Sequence, residues 1–271
     1  MIFLLDFLPN SFLGVPRFKS FLLRKFNFKG FFFAKIFNEL KIQVNLEDTS
    51  ENFLFYGCNP KTTIDFLKNY LKRGDIFIDC GANIGLWTLI ASDCTKSEGR
   101  VYSFEPNPKL FQRLFKNIDY NNLEGRCIIE QIGLSSTSCS SFLYLDDNHH
   151  QMGSLQNKNT NRKIKVELKT LDSFELSRLD GMKVDVEGHE LDVLKGAIQT
   201  LISHKPWLVV ELNNVFHNVQ YINQWEVYHL LIENGYSTNF DTNQNLNDSF
   251  CRDIIFYDPS KSNKGQFPPF L

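Results

Sequence analysis

The run Asp79-Cys-Gly-Ala-Asn-Ile-Gly85 follows the apolar stretch Ile76-Phe-Ile78 and leads directly into Leu86-Trp-Thr-Leu-Ile-Ala91. A strand that ends in a glycine turn and passes at once into a helix is the ligand-binding edge of an open, doubly wound α/β sheet. Gly81 and Gly85 remove side chains where the backbone must turn tightly. They also open the helix N-terminus, whose free N–H groups favour an anionic group such as a carboxylate or phosphate.

The spacing narrows the ligand. Gly81-x-x-x-Gly85 is not the G-x-G-x-x-G of dinucleotide-binding folds, and Asp79 places a carboxylate where it would repel a pyrophosphate, so a dehydrogenase is disfavoured. A ligand carrying an ammonium group suits Asp79 better. Further along, Val101-Tyr-Ser-Phe104 ends in Glu105, which on a neighbouring strand would accept two ribose hydroxyls. Ribose, an amino-acid ammonium and an amino-acid carboxylate together describe S-adenosylmethionine.

Further blocks carry a family resemblance. Phe104-Glu-Pro-Asn-Pro108, Met182-Lys-Val-Asp-Val-Glu-Gly-His-Glu190, Leu191-Asp-Val-Leu-Lys-Gly-Ala197 and Pro206-Trp-Leu-Val-Val-Glu211 follow the glycine turn in order. From about Asp79 to Asn213 the chain closely resembles the FkbM family of S-adenosylmethionine-dependent methyltransferases. The resemblance implies a Rossmann-like class I methyltransferase fold: a doubly wound, mostly parallel sheet with an antiparallel last strand, here with an N-terminal helical extension. It implies an acceptor hydroxyl on a sugar, glycolipid or polyketide-like molecule, and leaves the acceptor itself open. The expected cofactor set is Asp79, Gly81, Ala82, Asn83, Gly85, Glu105, Pro106 and Asn107.

Methyl transfer to an alcohol calls for precise positioning and for a general base, since a neutral hydroxyl is a poor nucleophile near pH 7. Asp185, Glu187 and His189 emerge at the carboxyl end of an apolar strand and are the expected catalytic residues. Each has a plainer reading. Asp185 would form a structural ion pair with Lys183, and His189 would cap a helix or stand in solvent. Glu190 and Asp192 read as first-turn acids that complement the helix dipole. A Mg²⁺ held by Asp185, Glu211 and Asn213 is a weaker alternative, and no metal is expected. N-methylation, or a cofactor-binding scaffold without turnover, are the alternative functions.

With 271 residues and 42% apolar content, one catalytic domain with extensions is expected: an extension over 1–57, the methyltransferase domain over 58–258 and a tail over 259–271. A net charge of −2 gives no reason to expect nucleic acid. Up to Lys41, however, Arg17, Lys19, Arg24, Lys25, Lys29, Lys35 and Lys41 face only Asp6 and Glu39. Six cysteines without C-x-x-C spacing read as buried thiols in a reducing cytoplasm. Ile2-Phe-Leu-Leu5 lacks a basic n-region, and no run of about 18 apolar residues occurs, so neither a signal peptide nor a membrane helix is expected.

In the basic, phenylalanine-rich extension, Phe18, Leu22, Phe26, Phe33 and Phe37 fall on one helical face that Lys25 and Lys29 interrupt. This reads either as a helix packed on the catalytic domain or as a peripheral contact with an anionic membrane or lipid-linked acceptor. A helix over Thr63–Leu71 precedes the first strand. Another begins at Asn107-Pro108 with Leu110, Phe111, Leu114, Phe115 and Ile118 inward, and Arg126–Ile132 reads as the third strand. Phe142–Leu145 and Ile164–Leu168 read as strands joined by a polar loop, a candidate lid whose His149-His150 are expected to be solvated. Beyond them come a helix with Leu191, Leu194, Ile198 and Leu201 inward, a strand from Trp207 to Leu212, and a helix over Trp225–Glu233 closed by Asn234-Gly235. Tyr236–Phe240 and Asp253–Tyr257 are expected to form a closing antiparallel pair, and the tail is given no fold.

Overall fold

In the computed structural model, which describes residues 29–55, 61–145, 153–155, 160, 162–261 and 267–271, the chain begins with a hairpin, β1 (Phe31–Phe37) and β2 (Leu40–Asn45), and two helices, α1 (Thr49–Phe55) and α2 (Lys61–Tyr70). It then alternates through β3 (Ile76–Cys80), α3 (Leu86–Thr95), β4 (Arg100–Phe104), α4 (Pro108–Tyr120) and β5 (Cys127–Glu130). An insertion follows: β6 (Gly133–Leu134), β7 (Cys139–Leu145), β8 (Gly153–Ser154) and β9 (Lys163–Lys169). The rhythm resumes with β10 (Gly181–Val184), α5 (Glu190–Lys195), α6 (Ile198–His204), β11 (Trp207–Asn213), α7 (Asn214–His217), α8 (Glu226–Glu233) and β12 (Cys251–Phe256).

The central sheet has the order β12-β11-β10-β3-β4-β5, parallel except for β12, which runs antiparallel to β11. The chain winds outward from β3 in one direction, then returns to β10 and winds in the other, so β3 and β10 flank the switch point where a doubly wound sheet leaves a crevice. Strand alternation sends Phe77, Val101, Val209 and Ile255 to one apolar cluster and Ile78, Met182, Val184 and Val210 to the other. Buried side chains of this size each contribute about 1.5–3 kcal/mol over exposure. At the carboxyl ends the first face turns polar: Ser103 stands beside Asp79, Asp79 beside Lys183, and Glu211 beside Asp253.

The extension differs from expectation. Residues 31–45 form a hairpin rather than a helix, because period-two alternation buries Ala34 and Ile36 and leaves Phe31, Phe33 and Lys35 outside. Asn38, at φ +48°, makes the reversal. Phe33 and Phe37 therefore lie on a strand; Phe18, Leu22 and Phe26 fall outside the described residues. The hairpin is fastened to α4, where Asn121 Oδ1 accepts the Lys41 amide at 3.0 Å and Asn117 Oδ1 accepts the Gln43 amide at 2.8 Å. Arg113 adds a buried fork to Glu51 at 2.6 and 2.7 Å and a bond to the Gln43 carbonyl.

The helices over 61–70 and 108–120 form as the sequence predicts, with Asn107 Oδ1 capping the Lys109 amide. Phe115 departs from its assignment and is 53% exposed, its place in the core face taken by Asn117. The helix after Asp185 is broken into α5 and α6 at Gly196, where a Cβ would lie 2.0 Å from the Ser135 carbonyl oxygen. Over Tyr236–Phe240 the expected strand reduces to one bridge between Ser237 and Tyr257. The end of the tail does fold: Phe267 stacks on Tyr70 and Tyr257 at 4.4 and 5.2 Å, and Phe270 bridges to Ile254. No helix among the described residues is long and apolar enough to cross a membrane. Cys58, His149 and His150 lie outside the described residues.

Candidate active site

The glycine turn is built by two close approaches. Gly81, at φ +81°, passes so near the end of β10 that a Cβ would sit 1.8 Å from the Asp185 carbonyl oxygen. Gly85, at φ +96°, starts α3, and a Cβ there would meet Leu114 Cδ1 at 2.6 Å. The amides of Gly81 and Ala82 both donate to the Phe104 carbonyl at 3.0 Å, locking the turn to the end of β4. Glu105 then takes the Asn83 amide on Oε2 at 2.8 Å and the Asn107 amide on Oε1 at 2.9 Å. Burial pushes its carboxyl up to about 7, against the pull of those two amides.

Asp79 is 1% exposed. Its Oδ2 accepts the Thr88 hydroxyl at 2.6 Å, and Thr88 in turn meets Ser103 Oγ at 2.8 Å. Asp79 Oδ1 has no hydrogen-bond partner among the described residues. Such a buried orphan acceptor is costly in an apolar site and calls for a donor.

Between these groups and the end of β10 lies a cleft of about 330 Å³. Asp79, Gly81, Ala82, Asn83, Glu105, Pro106 and Asn107 line it from the expected cofactor set, and Asp185, Glu187 and His189 line it from the expected catalytic set. Gly85 is not in the wall. It starts α3 and lets that helix pack closely on Leu114 of α4.

On the β10 side the turn is strained into shape, with Glu187 at φ +54° and Gly188 at φ +93°. Glu190, 1% exposed, holds that turn: its Oε1 accepts the Gly188 and Val186 amides at 3.0 and 3.3 Å, and its Oε2 meets His217 Nε2 at 3.0 Å. Glu190 therefore does more than complement a helix dipole. His189 Nε2 meets Ser135 Oγ at 2.9 Å, and its Nδ1 lies 3.5 Å from Asp192, whose other oxygen accepts the Ser136 hydroxyl. Burial lowers the His189 pKa from its ordinary value, with Asp192 and Glu190 opposing the shift. Ser154 of β8, fully buried, donates to the Glu187 carbonyl at 2.9 Å and ties the inserted sheet to the turn.

Lys183 was legible in the sequence only as a partner for Asp185. That pair exists, with Nζ 2.5 Å from Asp185 Oδ2, but Lys183 is itself buried and lines the cleft. Burial works against its charge, yet Asp185, Asp253 and Asp79 hold its pKa above the ordinary lysine range. Burial pushes Asp253 up to about 6, and pushes Glu211, which faces Asp185 and Glu187, up to about 9. Glu51 and Leu54 of α1, with Leu143, Gly153 and Leu155 of the insertion, complete the wall. Gly153 and Leu155 belong to the loop read from the sequence as a candidate lid, whereas Glu51, Leu54 and Leu143 carry no motif that marks them. Of the oxygens considered for Mg²⁺, Asn213 Oδ1 caps the Val215 amide at 3.2 Å and Asp185 Oδ2 is paired with Lys183. No group of three His, Cys, Asp or Glu suited to a metal ion occurs among the described residues.

A doubly wound sheet with an antiparallel last strand, a glycine turn after β3 and an acidic residue after β4 together define the class I methyltransferase fold. Within that class the chain belongs to the FkbM family: residues 79–238 match the family described as the methyltransferase FkbM domain. The hexuronic acid methyltransferase AglP of Haloferax volcanii is 33% identical over 153 residues, 55% of this chain and 61% of that protein. Methyltransferase 1 of Beauveria bassiana is 31% identical over 143 residues, 44% of this chain and 57% of that protein. The chain thus spans about three fifths of the length of these curated relatives. A solved FkbM methyltransferase from Methylobacillus flagellatus aligns over 90% of this chain and 58% of its own at 16% identity, with a TM-score of 0.46.

Proposed function

We propose that this chain transfers a methyl group from S-adenosylmethionine to a neutral hydroxyl of a saccharide, a lipid-linked saccharide or a related small molecule. The observation that carries this reading is the charge of the cleft. Among its described lining residues Glu51, Asp79, Glu105, Asp185 and Glu187 supply carboxylates, and Lys183 is the one lysine or arginine. Such a wall suits a cationic cofactor and disfavours an anionic acceptor. The relative named as a hexuronic acid methyltransferase supports a sugar acceptor, and the acidic wall favours a sugar hydroxyl over a sugar carboxylate.

When bound, the cofactor supplies an electrophilic methyl on a sulfonium, so that a C–O bond forms as the C–S bond breaks. Glu105 would receive the ribose hydroxyls, the orphaned Asp79 Oδ1 would take the amino-acid ammonium, and the turn from Gly81 to Asn83 would present its backbone, with Pro106 and Asn107 beside the ribose. His189, kept neutral by burial, would accept the hydroxyl proton, while Asp185 and Glu187 orient the acceptor. The inserted sheet supports an acceptor wall through Leu143 and Leu155. A radiolabelled methyl-transfer assay over a panel of neutral sugars, uronic acids and amino sugars tests the reading. Product with neutral sugars is expected. Transfer confined to amino sugars would replace O- by N-methylation, and cofactor binding without transfer to any acceptor in the panel would favour the scaffold alternative.

A further inference from the structure

The floor of the cleft contains a charge pattern that substrate binding alone does not require. Lys183 on β10 is 5% exposed and lies near four acidic side chains: Asp79 on β3 and Asp185 just after β10, which line the cleft, and Glu211 on β11 and Asp253 on β12 beneath it. On the helix side the ammonium lies 5.3 Å from the Trp87 ring of α3. Lys183 is the shared cationic neighbour of Asp79, Glu211 and Asp253 and the direct partner of Asp185. With Glu211 held protonated up to about pH 9, one ammonium still faces three acidic groups, Asp79, Asp185 and Asp253, and Asp79 Oδ1 remains without a donor among the described residues.

Asp185 and Lys183 both line the cleft, so their charges act on a ligand bound in it. The methyl donor and its product differ there by one charge, since the sulfonium becomes a neutral thioether when the methyl leaves. Adenine, ribose and the amino-acid end are common to both.

We propose that the Asp185–Lys183 pair sets the preference of the cleft for the sulfonium cofactor over its thioether product, Asp185 supplying the attraction and Lys183 limiting it, so that loss of the charge during turnover loosens the product. The inference rests on the methyltransferase reading above. In it Lys183 is a positioning and charge-setting residue that does not touch the reacting atoms.

The test is isothermal titration of S-adenosylmethionine and S-adenosylhomocysteine, at pH 8, into wild type, Lys183→Met, Asp185→Asn and the double variant. The quantity read is the ratio of the two affinities, in which contacts common to both ligands cancel. Asp185→Asn should lower the preference for the sulfonium about three- to tenfold, the size of one unit charge acting across a partly solvated cleft. Lys183→Met should raise it by a similar factor, and the double variant should return it near the wild-type value.

A purely structural pair would change both affinities together, so an unchanged ratio in Asp185→Asn overturns the inference even if Lys183→Met does not fold. If wild type binds neither ligand, the methyltransferase reading falls and the inference with it. If it binds both and only the ratio is insensitive, the inference alone falls.

Discussion

Glu105 accepts one backbone amide on each carboxylate oxygen, from Asn83 and from Asn107, so a single side chain fastens the glycine turn to the start of α4. It is buried, and burial raises its pKa to about 7. A ribose hydroxyl donates best to the ionised form. Cofactor affinity should therefore fall as pH drops through 7, being about tenfold weaker at pH 6 than at pH 8 for a group titrating there. Titration calorimetry with S-adenosylhomocysteine measures it. Glu105→Ala should weaken binding by about 1–3 kcal/mol and remove this pH dependence. Equal affinity at both pH values in wild type would place the ribose elsewhere.

The two glycines of the turn should not be equally replaceable. A Cβ on Gly81 collides with backbone, the Asp185 carbonyl oxygen at 1.8 Å, whereas one on Gly85 meets the movable end of Leu114. Both carry a positive φ that costs about 1–3 kcal/mol for a non-glycine residue. Gly85→Ala should fold with a lowered melting temperature and retain cofactor binding. Gly81→Ala must in addition push β3 and β10 apart at the switch point, so it should lose both stability and binding. Thermal melts with and without S-adenosylhomocysteine distinguish the two.

The described part of the extension belongs to the site through α4. Arg113 and Glu51 are 12% and 4% exposed at their side chains, and Glu51 and Leu54 line the cleft. Removing the guanidinium takes the two-pronged ion pair from a buried carboxylate, a loss of about 3–5 kcal/mol. Arg113→Ala should expose residues 29–55 to limited proteolysis and weaken cofactor binding, while Arg113→Lys, which cannot form the fork, should be intermediate. Unchanged proteolysis and affinity would separate the hairpin from the site.

The catalytic core was legible because its signals are local. Asp79 to Gly85 gives strand, turn and helix within a few residues, and Asn107-Pro108 gives a cap and a helix start. The hairpin was misread because Phe33 and Phe37 fit a helical period, while the fact that favours the strand is distant: Asn117 of α4 and Asn121 just past its end wait to pair the β2 edge. Tyr236–Phe240 failed as a strand for a related reason, since a single bridge to Tyr257 is all the sheet offers it. Lys183 was half-legible. Its spacing from Asp185 puts both on one strand face, but Glu211 and Asp253 reach the same place from strands whose register no local pattern reveals.

His189 joins a chain of polar contacts, Ser135 at Nε2 and Asp192 near Nδ1, that fixes the imidazole at the edge of the cleft. Burial lowers its pKa below the ordinary histidine value, so the ring is neutral at pH 7 and able to accept a proton. If it is the base, turnover under chemistry-limited conditions should rise with pH through a midpoint below about 6.5 and be level at higher pH. His189→Ala should lower turnover about 10²- to 10⁴-fold and leave S-adenosylhomocysteine affinity nearly unchanged. Asp192 opposes the downward shift, so Asp192→Asn should move the midpoint lower still, the reverse of what loss of a merely structural contact would require. A pH–rate profile of the three proteins with an acceptor from the sugar panel decides the matter. Full activity in His189→Ala would pass the base assignment to Asp185 or Glu187, the remaining carboxylates of the turn that line the cleft.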